Sequence, residues 1–152
     1  MVFQAIILLL TGGILLYAAD YDLKNREIQL STLILISILG FLYFINSDMS
    51  LINLIYAEIV LTMLFLIPTI LGMGLGDMLL FWGLGFYFTN PNSLHTFLFG
   101  FFIAAAILTM YYIYNELQHG KRTNIKKIQF PLIPAILCGF TTYAINLLFL
   151  HI

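Results

Sequence analysis

The chain has 152 residues, of which 62% are hydrophobic and 9% charged, and its mean hydropathy is +1.02. A soluble domain carries roughly 25% charged residues to cover its surface, so this composition excludes one and predicts an integral membrane protein of all-α class. Six basic and seven acidic residues nearly cancel and form no basic patch of nucleic-acid type, and the lone Cys138 excludes an internal disulfide or a multi-cysteine zinc module.

A bilayer core about 30 Å thick takes about 20 apolar residues per helix. On that length the chain, residues 1–152, reads as one domain of six transmembrane helices. The first span covers residues 2–19, and no Lys or Arg precedes it as one would in a secretory signal. The second covers 28–45, and the third 51–71 with Pro68 near its end. The fourth, 78–88, is short and follows the glycine-rich run LGMGLGD; the fifth covers 93–114 and the sixth 130–150.

The basic residues orient these spans. Lys24 and Arg26 lie between the first and second, and Lys121, Arg122, Lys126 and Lys127 between the fifth and sixth. With six spans both loops fall on one side, which the positive-inside rule makes cytoplasmic. Without the fourth span they would fall on opposite sides. Both termini are then expected outside a multi-pass protein of the plasma membrane, and the loop holding Gly72, Gly74, Gly76 and Asp77 is cytoplasmic as well. Asp20, Asp22 and Asp77 are therefore expected on one membrane face.

Two carboxylates brought together do not both ionise cheaply, so the pair holds one proton near neutral pH. The ionised member can take a proton from a water while the protonated member polarises a peptide carbonyl. That is aspartic peptidase chemistry and needs no metal or cofactor. Asp20 and Asp22 would stand about 200° apart on a helix, so only one of them can face a site. Gly72, Gly74 and Gly76 disfavour a regular helix and let another backbone approach closely, which suits a peptide lying in a wet cavity. The same glycines would also serve simply to pack helices or to form a turn.

Three motifs carry a family resemblance: D-L-K-N-R-E-I at residues 22–28, G-L-G-D at 74–77 and F-P-L-I-P at 130–134. Together they resemble the type IV prepilin peptidases, GxGD membrane aspartic peptidases with six spans, and in particular their archaeal preflagellin and prepilin branch. The resemblance implies Asp22 and Asp77 as the catalytic pair, with Arg26, Glu27 and Ile28 fixing the alignment on Asp22. It also implies that Gly74 and Gly76 shape the site and that the segment with Pro131 and Pro134 borders it. The implied partner is a membrane-anchored pilin-like or archaellin precursor, cut at the cytoplasmic face just before its hydrophobic segment. Asp20 and Glu27 would attract the basic leader of such a precursor. Leu79 stands where many members have Lys. Ile28, Gln29 and Leu30 stand where bacterial members often have I-P-N, and the cysteine-bearing insert of the bifunctional members is missing, so no methyltransferase activity is expected.

Glu58 is the one acid inside a span, expected protonated or hydrogen-bonded toward the outer half. His95, His119 and His151 are dispersed near span ends. Pro131 and Pro134 suit the first turn of a helix. The 14 phenylalanines and nine tyrosines are expected mostly at lipid or at the interface, and Lys121 to Lys127 near anionic headgroups. The competing readings are a small transporter or channel component using Glu58 and Asp77, and a catalytically silent homologue. A presenilin-type protease, which cuts within a transmembrane segment, has more spans than this chain.

Overall fold

In a computed structural model the described residues form six helices: α1 (Val2–Asn25), α2 (Leu30–Ile45), α3 (Leu51–Ile70), α4 (Leu75–Gly85), α5 (Pro91–Gln118) and α6 (Leu132–Leu150). The backbone is described for residues 2–25, 28–48, 50–70, 75–88, 90–118 and 132–150, and side chains for the same residues except 65–70, 75–78, 116–117 and 149–150. No strand occurs among the described residues, so the all-α expectation and the number of helices are met.

Local chemistry marks several helix ends. Ser50 caps α3 through its Oγ, which accepts the Asn53 N–H at 3.2 Å. At α5, Asn90 Oδ1 accepts the Ser93 N–H at 2.8 Å and Ser93 Oγ accepts the Asn90 N–H at 3.2 Å, with Pro91 at the first helical position. The α1 helix runs past the expected span end at residue 19 to Asn25, so Asp20 and Asp22 stand on a helix rather than in a loop. The reason is visible in the sequence: residues 20–25 hold no Gly or Pro, and Asp20 pairs with Lys24 at 2.6 Å in the favourable acid-then-base i, i+4 order.

Successive helices alternate in direction. Gln4 at the start of α1 donates to the Asn46 carbonyl at the end of α2, 2.9 Å away. Trp82 of α4 donates to Thr62 of α3 at 3.0 Å, while Glu58 lies against Gly85, so these two are antiparallel. The α2 and α4 helices run parallel: Gly40 faces Gly83, and one turn further Tyr43 meets Tyr87 with ring centroids 5.2 Å apart. The α5 helix opposes α4, with Phe97 beside Phe88 and Phe101 beside Phe81. The α6 helix follows α4, its Phe140 and Tyr143 meeting Tyr87 and Phe88.

Two crossings depend on missing side chains. A Cβ on Gly40 would stand 2.6 Å from the Gly83 carbonyl oxygen, and one on Gly139 of α6 would stand 2.8 Å from the Phe97 carbonyl oxygen of α5. Small residues are what let helix backbones approach this closely.

The aromatic residues divide between the surface, where most of the described ones lie as expected, and the core. Tyr43, Phe81, Tyr87, Phe88, Phe97, Phe101, Phe140 and Tyr143 are buried and form much of the core, while Phe3, Tyr17, Phe99, Phe102 and Tyr111 are exposed. Most of the buried ring pairs meet edge to face or tilted, as at Phe81–Phe101 and Tyr87–Phe140, a geometry favoured by the ring quadrupole over a face-to-face sandwich, while Phe97 and Phe101 lie nearly parallel.

The outward surface is apolar. Leu9 is 72% exposed, Ile52 78% and Met110 72%, on helices whose inner faces are equally apolar. A helix apolar all round belongs to a membrane or to the centre of a large protein, and this bundle is too small to bury such faces itself. Among the described residues, Val2–Asn25 and Pro91–Asn115 are long and apolar enough to cross a bilayer, while Leu30–Ile45, Leu51–Leu64 and Leu132–Leu148 are shorter apolar helices. The chain is a membrane protein.

Candidate active site

The last turns of α1, the first turn of α6 and the start of α2 meet at one end of the bundle. Asp22 sits there, 7% exposed, next to the buried Ala18 and Ala19 of its own helix and across from Leu132 and Ile133. A carboxylate this deep requires hydrogen-bond donors, because an isolated buried charge costs many kcal/mol. One donor is the Ile133 N–H, 3.3 Å from Asp22 Oδ2. The amides of a helix's first turn have no acceptor within their own helix, and the positive end of the helix dipole favours an anion there. Asp22 thus does for α6 what a capping side chain ordinarily does from the adjoining loop.

Asp20 behaves differently. It is exposed and bound to Lys24, whose side chain is equally exposed. Two residues separate opposite faces of one helix, and Asp22 is the member of the pair that faces inward.

Asp77 is the third residue of α4 and Gly76 the second. Gly76 does not keep the helix from starting, since α4 opens at Leu75 and includes it. Because α4 runs parallel to α2 and α6, its first turn lies at the bundle end where α6 begins and α1 finishes. The backbone of Asp77 therefore shares that end with Asp22. The side chain of Asp77 lies outside the described residues, as do Gly72, Gly74, Pro131, Arg26, Glu27, His119, His151 and the basic residues 121–127. Pro134, half-buried, is the residue after Ile133 and so borders the Asp22 carboxylate through its neighbour. Leu79 is 46% exposed.

Glu58 lies away from this end. Its carboxylate rests on Gly85, the last residue of α4. His95 is exposed near the start of α5. Among the described residues no group of three or more His, Cys, Asp or Glu is placed to hold a metal ion.

Reasoning from the sequence missed two features here. One is the Ile133 amide, a main-chain donor that no residue type announces. The other is a chain of buried hydroxyls deeper in the bundle. Thr11 Oγ1 donates to the Ile7 carbonyl at 2.9 Å and so accepts from the Tyr87 hydroxyl at 2.6 Å. Tyr143 donates to the Tyr87 carbonyl at 2.7 Å. The apolar pattern of the flanking residues concealed these polar ties.

No characterised protein and no solved structure matches the chain. A family model does, over residues 9–109, a stretch that includes Asp22, the GLGD run and Asp77 and stops short of α6. Its match covers more than half the chain, and the chain belongs to the type IV leader peptidase family.

Proposed function

We propose that this protein is a membrane aspartic endopeptidase that removes class III signal peptides from prepilin-like or preflagellin precursors. Asp22 and Asp77 are its catalytic pair. The observation that carries the reading is the buried Asp22 at the bundle end where α4 opens on GLGD. Membership of a leader peptidase family supports the reaction class, and the motif resemblance supports the aspartic type.

On this reading one carboxylate is ionised and its partner protonated. The ionised member takes a proton from water as the water oxygen attacks the scissile carbonyl carbon, and the protonated member donates a hydrogen bond to the carbonyl oxygen. The tetrahedral intermediate then breaks at its C–N bond, the nitrogen leaving as an amine with a proton from the pair. All six helices cross the membrane, both termini lie outside, and the site opens to the cytoplasm, where the basic residues 24, 26 and 121–127 anchor it. Gly74 and Gly76 leave room for the substrate backbone, and Pro131 and Pro134 flank it.

Co-expression with a candidate precursor tests this. Asp22→Asn and Asp77→Asn abolish processing, and Asp20→Asn retains most of it. Processing that survives Asp22→Asn but is lost in Asp20→Asn would falsify the assignment. A protein that cleaves no class III precursor, yet conducts or transports in a manner sensitive to Asp77→Asn, is a transporter instead.

A further inference from the structure

One donor that meets Asp22 is a main-chain amide rather than a side chain, and its position follows from the register of α6. We propose that the first turn of α6 is a positioning element of the active site: the Ile133 N–H, bonded to Asp22 Oδ2, sets the orientation in which that carboxylate meets substrate. The inference rests on the reading of Asp22 as catalytic. It concerns a helix that lies beyond the residues matched by the family model.

Three observations support it. First, Pro134 has no N–H to offer, and the Ile133 N–H is a first-turn amide that bonds Asp22, at 3.3 Å. Second, a helical amide has no rotamers. A Ser, Lys or Arg donor could swing with the carboxylate, whereas this one moves only if α6 moves. Third, α6 is itself held in register by its neighbours, among them the residues that follow α4. Ile133, Ala135 and Ile136 are fully buried. Further along, Gly139 is seated against the Phe97 carbonyl, and the Tyr143 hydroxyl donates to the Tyr87 carbonyl just past the end of α4, at 2.7 Å. One rigid helix thus touches Asp22 at one end and is tied to Tyr87, two residues past the end of α4, about 15 Å further along, ten residues at 1.5 Å each. Among the described residues near this corner, Asp20 and Lys24 of α1 are exposed on the opposite face and paired with each other, and Gln29 and Thr32 at the start of α2 are uncharged.

The test replaces the Ile133 N–H by an ester oxygen, using the α-hydroxy analogue of isoleucine at position 133 of the full chain. Cleavage of a prepilin-type precursor is measured in detergent, with the melting temperature read alongside. The expected result is a kcat about 10²-fold lower with KM within about threefold, since a misoriented catalytic group loses rate rather than substrate binding. Wild-type kcat in a folded ester protein overturns the inference. Should the ester protein not fold, Ile133→Pro and Ile133→Ala carry the comparison: both lose the buried side chain, only the first loses the N–H, and proline is tolerated in a first turn. A kcat at least about tenfold lower in Ile133→Pro than in Ile133→Ala supports positioning, and equal values overturn it. Asp22→Asn in the same assay separates the two levels. If it cleaves at the wild-type rate, the catalytic reading of Asp22 fails. If it is inactive while the ester protein keeps wild-type kcat, only the positioning role fails.

Discussion

Tyr43 of α2 donates its hydroxyl to Tyr143 of α6 across 3.2 Å of buried space. The direction is settled because the single Tyr143 proton is committed to the Tyr87 carbonyl at 2.7 Å. Together with Tyr87 and Thr11, this pair joins α1, α2, α6 and the end of α4 at one level of the bundle, well away from Asp22.

The two tyrosines are therefore unequal. Tyr143→Phe removes the donor to the Tyr87 carbonyl and the acceptor for Tyr43, leaving two buried groups without partners. It lowers stability by about 2–3 kcal/mol. Tyr43→Phe deletes one donor and leaves Tyr143 still bonded, at a cost of about 1 kcal/mol. Because they share one network, the double variant loses less than the sum of the two. Unfolding of the three variants in detergent measures this, and equal losses for the two single variants would refute the assigned directions.

Glycines at the helix crossings differ from those facing outward. An alanine at Gly40 or Gly139 would push against a main-chain carbonyl that cannot rotate away, 2.6 Å or 2.8 Å from the new Cβ. Each substitution costs about 1–3 kcal/mol through overpacking. Nothing lies within 4 Å of a Cβ at Gly12, so Gly12→Ala is neutral or stabilising by up to about 1 kcal/mol, the ordinary gain of alanine in a helix. Thermal midpoints of the three alanine variants check the order, and a Gly12→Ala protein as unstable as Gly40→Ala would contradict it.

Glu58 and Gly85 make a size-matched pair. The carboxylate of Glu58 occupies the space that a Cβ on Gly85 would need. Gly85→Ala is expected to destabilise by about 2 kcal/mol, and Glu58→Ala on the same background recovers at least half of the loss by emptying that space. A double variant no more stable than Gly85→Ala alone shows that the two do not share the space.

On the proposed reading Asp22 has two separable duties, accepting the Ile133 N–H and taking part in chemistry. The amide oxygen of Asn still accepts that hydrogen bond, so Asp22→Asn folds near wild-type stability and is inactive. Asp22→Ala leaves the buried amide without its acceptor and lowers stability by about 1–3 kcal/mol. Asp20→Asn breaks an exposed pair and changes stability by less than about 1 kcal/mol. Melting and precursor cleavage measured on the same three preparations separate these effects. An active Asp22→Asn protein would show that the carboxylate serves the fold alone.

Much of the fold is legible in the order of residues alone. Six apolar segments, a short one among them, correspond to six helices in the same order, because segment length and Gly, Pro and polar breaks are local properties. The motifs around Asp22 and Asp77 point to the family that the chain matches. Boundaries are less legible. The α1 helix runs on to Asn25 through charged residues that a hydropathy reading excludes, because its backbone bonds continue where apolarity stops. Which of the aromatic residues enter the core is not legible in the sequence, since helices apolar on every side carry no periodic signal to distinguish a neighbour helix from lipid.

By itself, then, the sequence determined the membrane setting, the helices and the family, and it supplied the two aspartates proposed as the catalytic pair. The tertiary structure decided which face of each apolar helix is inside and that Asp22, not Asp20, points there. It also decided that Asp22 meets an amide 111 residues away. The physical reason is that hydropathy and motif spacing are written in side chains along one segment. The orientation of a buried carboxylate depends instead on a main-chain group common to nearly every residue, and only the packing of α6 against α1 chooses which one.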